Sequence, residues 1–172
     1  MGAIRILPLG CAQIDVLNVM EERMLGLDEI TFRMLQLRQK GYCCSQILLI
    51  LALDSEDKTN PDLVRAVGGL CYGIGSGEVC GCLSGGACLL SYYVGKGFDT
   101  EEADGRFQLM VSQLVDWFRE AIGQNYGGVR CDDILTQHPD KSACGPIVAA
   151  TYGKAMEILA SHGWDSSRGR HR

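Results

Sequence analysis

The sequence predicts an all-α fold, a single domain of about six or seven helices. Apolar residues recur at the 3.6-residue helical period through most of the chain. No segment alternates apolar and polar residues over six positions, and the β-branched runs that mark buried parallel strands are missing. At 172 residues the chain has the size of one ordinary domain, large enough to bury a core without disulfide staples.

Residues 1–26 read as an N-terminal helical extension. Its Ile14, Leu17, Met20 and Met24 are able to pack on a partner or on the chain itself. Residues 27–163 read as the helical domain proper. In the stretch 28–40, Ile30, Met34 and Leu37 keep the helical period, and Cys44 opens a helix running to Leu53. Asn60-Pro61 is a start signal, because asparagine caps free amides and proline tolerates the first helical position; Leu63, Val64, Val67, Leu70 and Cys71 follow on one apolar face. The glycine-rich run 73–77 is a tight turn that delivers Cys80. Phe107, Met110, Leu114, Trp117 and Ala121 predict a helix over 107–122, with Asp99 and Glu102 as a variant capping box for its start. Cys131 precedes Asp132-Asp133-Ile134-Leu135. A final helix opens at Pro146, carries Val148, Tyr152, Ala155 and Leu159 on one stripe, and ends at Gly163. Irregular connections fall near 54–59, 73–77, 95–98 and 123–129, and residues 164–172 read as a flexible basic tail.

Charge and hydropathy narrow the function classes. A net charge of −5 argues against a nucleic-acid surface, which needs clustered Lys and Arg. The longest apolar run, Ile47 to Leu53, is far short of the roughly 20 residues that cross a bilayer, so no membrane insertion is expected. The stretch Ile4 to Leu9 is too short for a signal h-region, and the reading is a cytoplasmic protein. Nine cysteines are then the dominant chemical feature. The odd number forbids complete pairing within the chain, and in a reducing compartment such cysteines serve more often as metal ligands or redox thiols than as bridges.

Four of them, Cys44, Cys80, Cys131 and Cys144, lie at or near expected helix N-termini. There, unpaired amides and the positive end of the helix dipole lower thiol pKa and stabilise an anionic group. This pattern suits an all-thiolate iron–sulfur cluster, [2Fe–2S] or [4Fe–4S]. The spacings of 36, 51 and 13 residues are unlike the local ligand loops of ferredoxins or zinc ribbons, so a shared site would pin four helices together. Cys43, Cys82 and Cys88 are secondary candidates. Neighbours on a helix diverge by about 100°, which sets Cys43 against Cys44, and by the same rule Cys80 and Cys82 lie about 200° apart. Cys71 and Cys88 fall on apolar helix faces and read as buried small residues, and Cys11 belongs to the N-terminal stretch.

The segment Gly41-Tyr42-Cys43-Cys44-Ser45-Gln46, the glycine-rich stretch 68–77, Gly77-Glu78-Val79-Cys80-Gly81-Cys82-Leu83-Ser84-Gly85, and then Cys131 and Cys144 together resemble the redox-active protein family labelled by a C-GCAxxG-C-C cysteine pattern. The similarity covers about residues 28–160. It implies a redox role and four defining cysteines, carried by position onto Cys44, Cys80, Cys131 and Cys144. The literal order of the label starts the central motif at Gly81 and selects Cys82 instead. The chain also departs from the pattern at Cys43, where asparagine is usual, so the choice within each pair stays open. A more distant resemblance to the split-Soret cytochrome, a dimeric haem protein with an iron–sulfur cluster, implies a homodimer and a cluster. Without any Cys-x-x-Cys-His, c-type haem is not expected.

The leading expectation is an iron–sulfur cluster-binding redox or electron-transfer protein, more an electron carrier or accessory redox protein than a stand-alone enzyme, acting with a redox partner protein that the sequence does not identify. The alternatives are a thiol–disulfide oxidoreductase using low-pKa thiols such as Cys80, and a structural zinc module of four thiolates. A nucleotide site at residues 73–77 lacks both the strand context of a dinucleotide fingerprint and the Lys of a P-loop. His138, followed by Pro139-Asp140, reads as a surface residue rather than a Rieske-type ligand.

Overall fold

The computed structural model describes residues 29–164. The expectations for the N-terminal extension, for Cys11 and for residues 165–172 of the tail lie outside the described residues. Within them the chain is all-helical. Helix α1 occupies 29–39, followed by α2 (Cys44–Asp54), α3 (Pro61–Val67), α4 (Gly81–Val94), α5 (Phe107–Phe118), the single turn α6 (Gln124–Tyr126), α7 (Cys131–Gln137) and α8 (Cys144–Ser161). The described residues form no strand, only an isolated antiparallel bridge between Val79 and Arg130. Counting α6 as the tail of α5, seven helices are described, within the expected number.

Helix α2 is the centre of the domain. Every residue from Ile47 to Leu53 is buried, so its apolar character runs around the whole circumference, as a helix enclosed on all sides requires. Each large side chain there contributes about 1.5–3 kcal/mol relative to exposure. Around α2 pack α3, α4 and α8, and α5 closes the far side against α4 and α8. Two glycines set how closely these helices approach. A Cβ at Gly85 would sit 2.7 Å from the Cα of Ser45 on α2, and one at Gly86 would sit 2.8 Å from Thr151 on α8 and 2.9 Å from Leu114 on α5. Helix α4 is thereby pressed into the centre, which fixes Cys80 and Cys82 at its first turn relative to Cys44 at the first turn of α2.

Most starts and stripes follow local chemistry. Asn60 caps α3 through its side chain, accepting from Leu63 N at 3.0 Å, with Pro61 at the first position. Met34 and Leu37 on α1, and Val148, Tyr152, Ala155 and Leu159 on α8, are buried as their spacing predicts. The start of α5 differs. Glu101 accepts from the amides of Gly97 and Phe98, folding a loop, and it is Asp104 that holds the entry to α5 by accepting from the amide of Arg106 at 2.8 Å. The Asp99–Glu102 spacing is therefore no cap, because the chain between them is not helical. The buried stripe continues as Met110, Leu114, Phe118 and Ile122, spaced by four across a wide turn at Arg119–Gly123, and it leaves Trp117 and Ala121 half-buried. At the C-terminal end Trp164 stacks on Tyr93, with ring centroids 4.2 Å apart. Among the described residues no helix is long and apolar enough to cross a membrane.

Candidate functional site

Each of the four dispersed cysteines stands at the start of a helix. Cys44 is the first residue of α2, Cys80 the N-cap of α4, Cys131 the first residue of α7 and Cys144 the first residue of α8. The segment before Cys80 is shaped for this. Tyr72, Gly73, Ile74, Gly75 and Gly77 all have positive φ, coiling the chain into a left-handed turn closed by the Glu78 amide donating to Gly73 O at 3.0 Å. A Cβ at Gly73 would collide with the backbone of Glu78, and one at Gly77 with the carboxylate of Asp132. The chain then leaves as a short extended stretch that pairs with residues 129–131. Cys80 N donates to Val129 O at 2.9 Å, and Cys131 N donates to Glu78 O at 2.7 Å.

These starts converge. One cavity of about 560 Å³ is lined by Cys44, Cys80, Cys82, Cys131 and Cys144, with Cys43 also at its wall. Its remaining walls are apolar, from Met34 and Leu35 on α1 to Ile134 on α7 and Ile147 on α8, and two cations, Arg38 and Lys141, face it. Lys141 lies over the ring of Tyr72, 4.6 Å from its centroid, and its carbonyl accepts from Arg38 at 3.5 Å. Among the described residues no three His, Cys, Asp or Glu side chains stand close enough to share one metal ion. The thiols surround a space instead.

The thiols feel one another strongly. A hydrogen bond from the Cys82 thiol draws Cys44 down to about 7, against a burial effect that opposes it, and a second one from Cys82 lowers Cys80. Cys82 is itself held well above its ordinary value, first by those two hydrogen bonds and then by burial, so it keeps its proton and donates it. Burial pushes Cys131 up to about 11, reinforced by Cys80, Cys44 and Cys144, and burial also raises Cys144. Of the cavity thiols, Cys44 and Cys80 are thus the two whose charged form the surroundings favour.

Two sequence expectations are corrected. Cys80 and Cys82 do not diverge as two positions of one helix would: Cys82 is buried and hydrogen-bonded with both Cys44 and Cys80. The 200° argument fails because Cys80 is the N-cap, with extended backbone (φ −52°, ψ 132°), and the helical increment per residue does not apply across it. Cys71 is not an isolated buried thiol. It is paired with Cys43 in a disulfide, their Cα atoms 6.0 Å apart. Cys43 is the N-cap of α2, outside the helical increment that separates it from Cys44, and its partner stands 28 residues further on, where no local signal announces it. Cys88 does not line the cavity; it is half-buried in α4 and burial raises its pKa. His138 is also away from the cavity lining, its ring edge-on to Tyr126 with 5.3 Å between centroids.

Comparison with known proteins gives one decisive result. The profile of the family described as "Putative redox-active protein (C_GCAxxG_C_C)" matches residues 42–158. The chain belongs to that family. The match spans α2 to α8 and every cysteine of the cavity. Read in its literal order, the label's central G-C-A-x-x-G coincides with Gly81-Cys82-Leu83-Ser84-Gly85-Gly86, with leucine in place of alanine, while the positional carry-over keeps Cys80. The label's two glycines have physical work here: a Cβ at Gly81 would lie 2.5 Å from the Cys44 sulfur, and Gly86 is the close contact with α5 and α8. No curated protein and no solved structure matches the chain significantly.

Proposed function

We propose that this member of the redox-active family carries an iron–sulfur cluster in the cysteine-lined cavity and acts in electron transfer, with Cys44, Cys80, Cys131 and Cys144 as ligands. The observation that carries the reading is that these four residues, from four separate helix starts, line one cavity. The donor set suits the group, since iron–sulfur clusters are held by thiolates. Arg38 and Lys141 offset the negative charge of an all-thiolate centre, and the apolar walls exclude water. A cavity bordered by dispersed thiols fits a group several atoms across better than a single zinc ion, which needs its donors drawn in to about 2.3 Å.

When bound, the cluster supplies reversible one-electron transfer. The chain's own residues do the rest. The paired stretch 78–80 with 129–131 holds Cys80 beside Cys131, and the glycine contact at Gly81 keeps the Cys44 sulfur against α4. The single proton of the Cys82 thiol is shared between the sulfurs of Cys44 and Cys80, which stabilises their charge and would raise the reduction potential of whatever they hold. Cys80 is chosen over Cys82 as the fourth ligand because its N-cap position frees its side chain from the helix, while Cys82 is bound into the first turn as a donor.

The test is anaerobic purification followed by quantification of iron, zinc and acid-labile sulfide, with visible spectra before and after dithionite. Iron and sulfide in comparable amounts, with absorption that bleaches on reduction, are expected for the wild type. Cys80→Ser should lose them and Cys82→Ser should keep them. Iron-free protein from a host competent in cluster assembly overturns the reading, and loss in Cys82→Ser alone moves the ligand to Cys82.

A further inference from the structure

At the edge of the cavity lies a sulfur pair with chemistry of its own, of which only Cys43 borders the cavity. Cys43 and Cys71 are joined across 28 residues of sequence, and the groups around them are arranged for both oxidation states. Gln46 Oε1 lies 3.3 Å from the Cys43 sulfur while also accepting from the Cys43 amide at 3.2 Å. Ser45 Oγ lies 2.9 Å from the Cys71 sulfur, and its own proton goes to Val67 O at 2.8 Å. Its oxygen lone pairs are therefore the part turned toward sulfur. Each sulfur has a hydrogen-bond acceptor beside it that a disulfide cannot use and a thiol can. Ser45 is fully buried, so its acceptor has no water to turn to. The pair is also asymmetric in access. Cys43 is half-buried and borders the cavity, whereas Cys71 is 6% exposed and is not among the cavity-lining residues.

We propose that Cys43 and Cys71 form a reversible two-electron redox couple that exchanges with an external dithiol, with Cys43 as the point of attack. The thiolate of the dithiol bonds to the Cys43 sulfur and the Cys43–Cys71 bond breaks, releasing Cys71 as thiolate, which takes a proton and donates it to Ser45 Oγ. The second thiol of the dithiol then attacks its own sulfur in the mixed disulfide. It leaves as an intramolecular disulfide, and Cys43 is released to take a proton and donate it to Gln46 Oε1. The dithiol is oxidised by two electrons and the pair is reduced by two, with two protons transferred. The couple goes beyond the cluster reading and does not depend on it, because none of its atoms belongs to the proposed ligands.

The experiment equilibrates the full-length protein anaerobically with mixtures of reduced and oxidised dithiothreitol, quenches in acid, alkylates with N-ethylmaleimide, and locates labels by fragment mass spectrometry. Labels on Cys43 and Cys71 are expected to appear together as the reduced fraction rises, and to disappear together when the ratio is reversed. A pair that stays unlabelled in excess dithiothreitol until the protein is unfolded is a structural bridge, and a pair labelled in the fully oxidised mixture has no bond; either overturns the proposal. The direction of attack is tested with glutathione disulfide. Cys71→Ser should acquire a glutathione adduct on Cys43, and Cys43→Ser should acquire none on Cys71. An adduct on Cys71 in the latter, or none on Cys43 in the former, overturns that assignment. Iron content, measured on the same samples, reports the cluster separately.

Discussion

Gly81 lies directly against Cys44, so closely that a Cβ on Gly81 would stand 2.5 Å from the cysteine sulfur and 3.0 Å from Leu70 O. The sulfur can turn away from an added methyl group, but the carbonyl cannot. Gly81→Ala is therefore expected to cost about 1–3 kcal/mol, as overpacking does, and to swing the Cys44 sulfur out of the cavity. Urea unfolding reads the first effect and iron per chain the second. Unchanged iron with lowered stability would show that the contact serves packing alone.

The same argument separates two other glycines. A Cβ at Gly85 meets the backbone of Ser45 at 2.7 Å, where neither helix has a flexible end to yield, so Gly85→Ala should destabilise by at least as much as Gly81→Ala. Gly153, in the middle of α8, has nothing within 4 Å of the added atom. There the substitution only removes the entropy that glycine costs a helix, and Gly153→Ala should stabilise by about 0.5–1 kcal/mol. Urea midpoints moving in opposite directions for the two variants are the expected result, and a shared direction would contradict the packing account.

These contrasts show what the sequence could and could not reveal. The helix start at Cys44, the one beside Cys131 and the turn delivering Cys80 were legible because caps, glycines and apolar stripes act over a few residues, whereas α8 opens at Cys144, two residues ahead of the expected start at Pro146. What escaped depended on partners distant in sequence or on where a helix begins. Cys71 fits an apolar face whether or not Cys43 stands opposite, and nothing within four residues distinguishes the two cases. Cys82 ranked behind Cys80 under a rotation rule valid only inside a helix, and Cys80 stands one residue outside. The carboxylate at Asp104 was passed over for Asp99 because the capping-box spacing also occurs in a loop.

If the cavity holds the cluster, the nine cysteines divide sharply. Cys144 lines the cavity, and Cys144→Ser should lose most of its iron and sulfide. Cys88 lies outside the lining, and Cys88→Ser should retain both at wild-type levels with an unchanged visible spectrum. Removing the metal anaerobically should lower stability in the wild type and leave Cys144→Ser nearly unaffected, since binding free energy adds to folding only where a site exists. Equal iron in the two variants would disconnect the metal from the cavity.

Acid stability offers a test far from the cysteines. Asp104 accepts from the amide of Arg106 and from its Nε and Nη2 at 2.8, 2.9 and 2.7 Å, while Arg106 Nη1 donates to His162 O at 2.8 Å. The Asp104 amide reaches Val94 O, so this one corner joins the end of α4, the entry to α5 and the end of α8. The Arg106 side chain, and then its backbone amide, hold the Asp104 carboxyl at about 2, below the ordinary 3.8. A depressed carboxylate releases its proton more readily when folded. Its contribution is complete above the unfolded value and is lost as pH falls through the folded one. The pair is partly exposed, so Asp104→Ala is expected to cost only about 1 kcal/mol at neutral pH. The gap between wild-type and variant urea midpoints should stay constant down to about pH 5 and narrow between about pH 4 and pH 2. A gap that persists undiminished at the acid end would mean that the methylene and backbone contacts of Asp104, rather than its charge, hold the corner together.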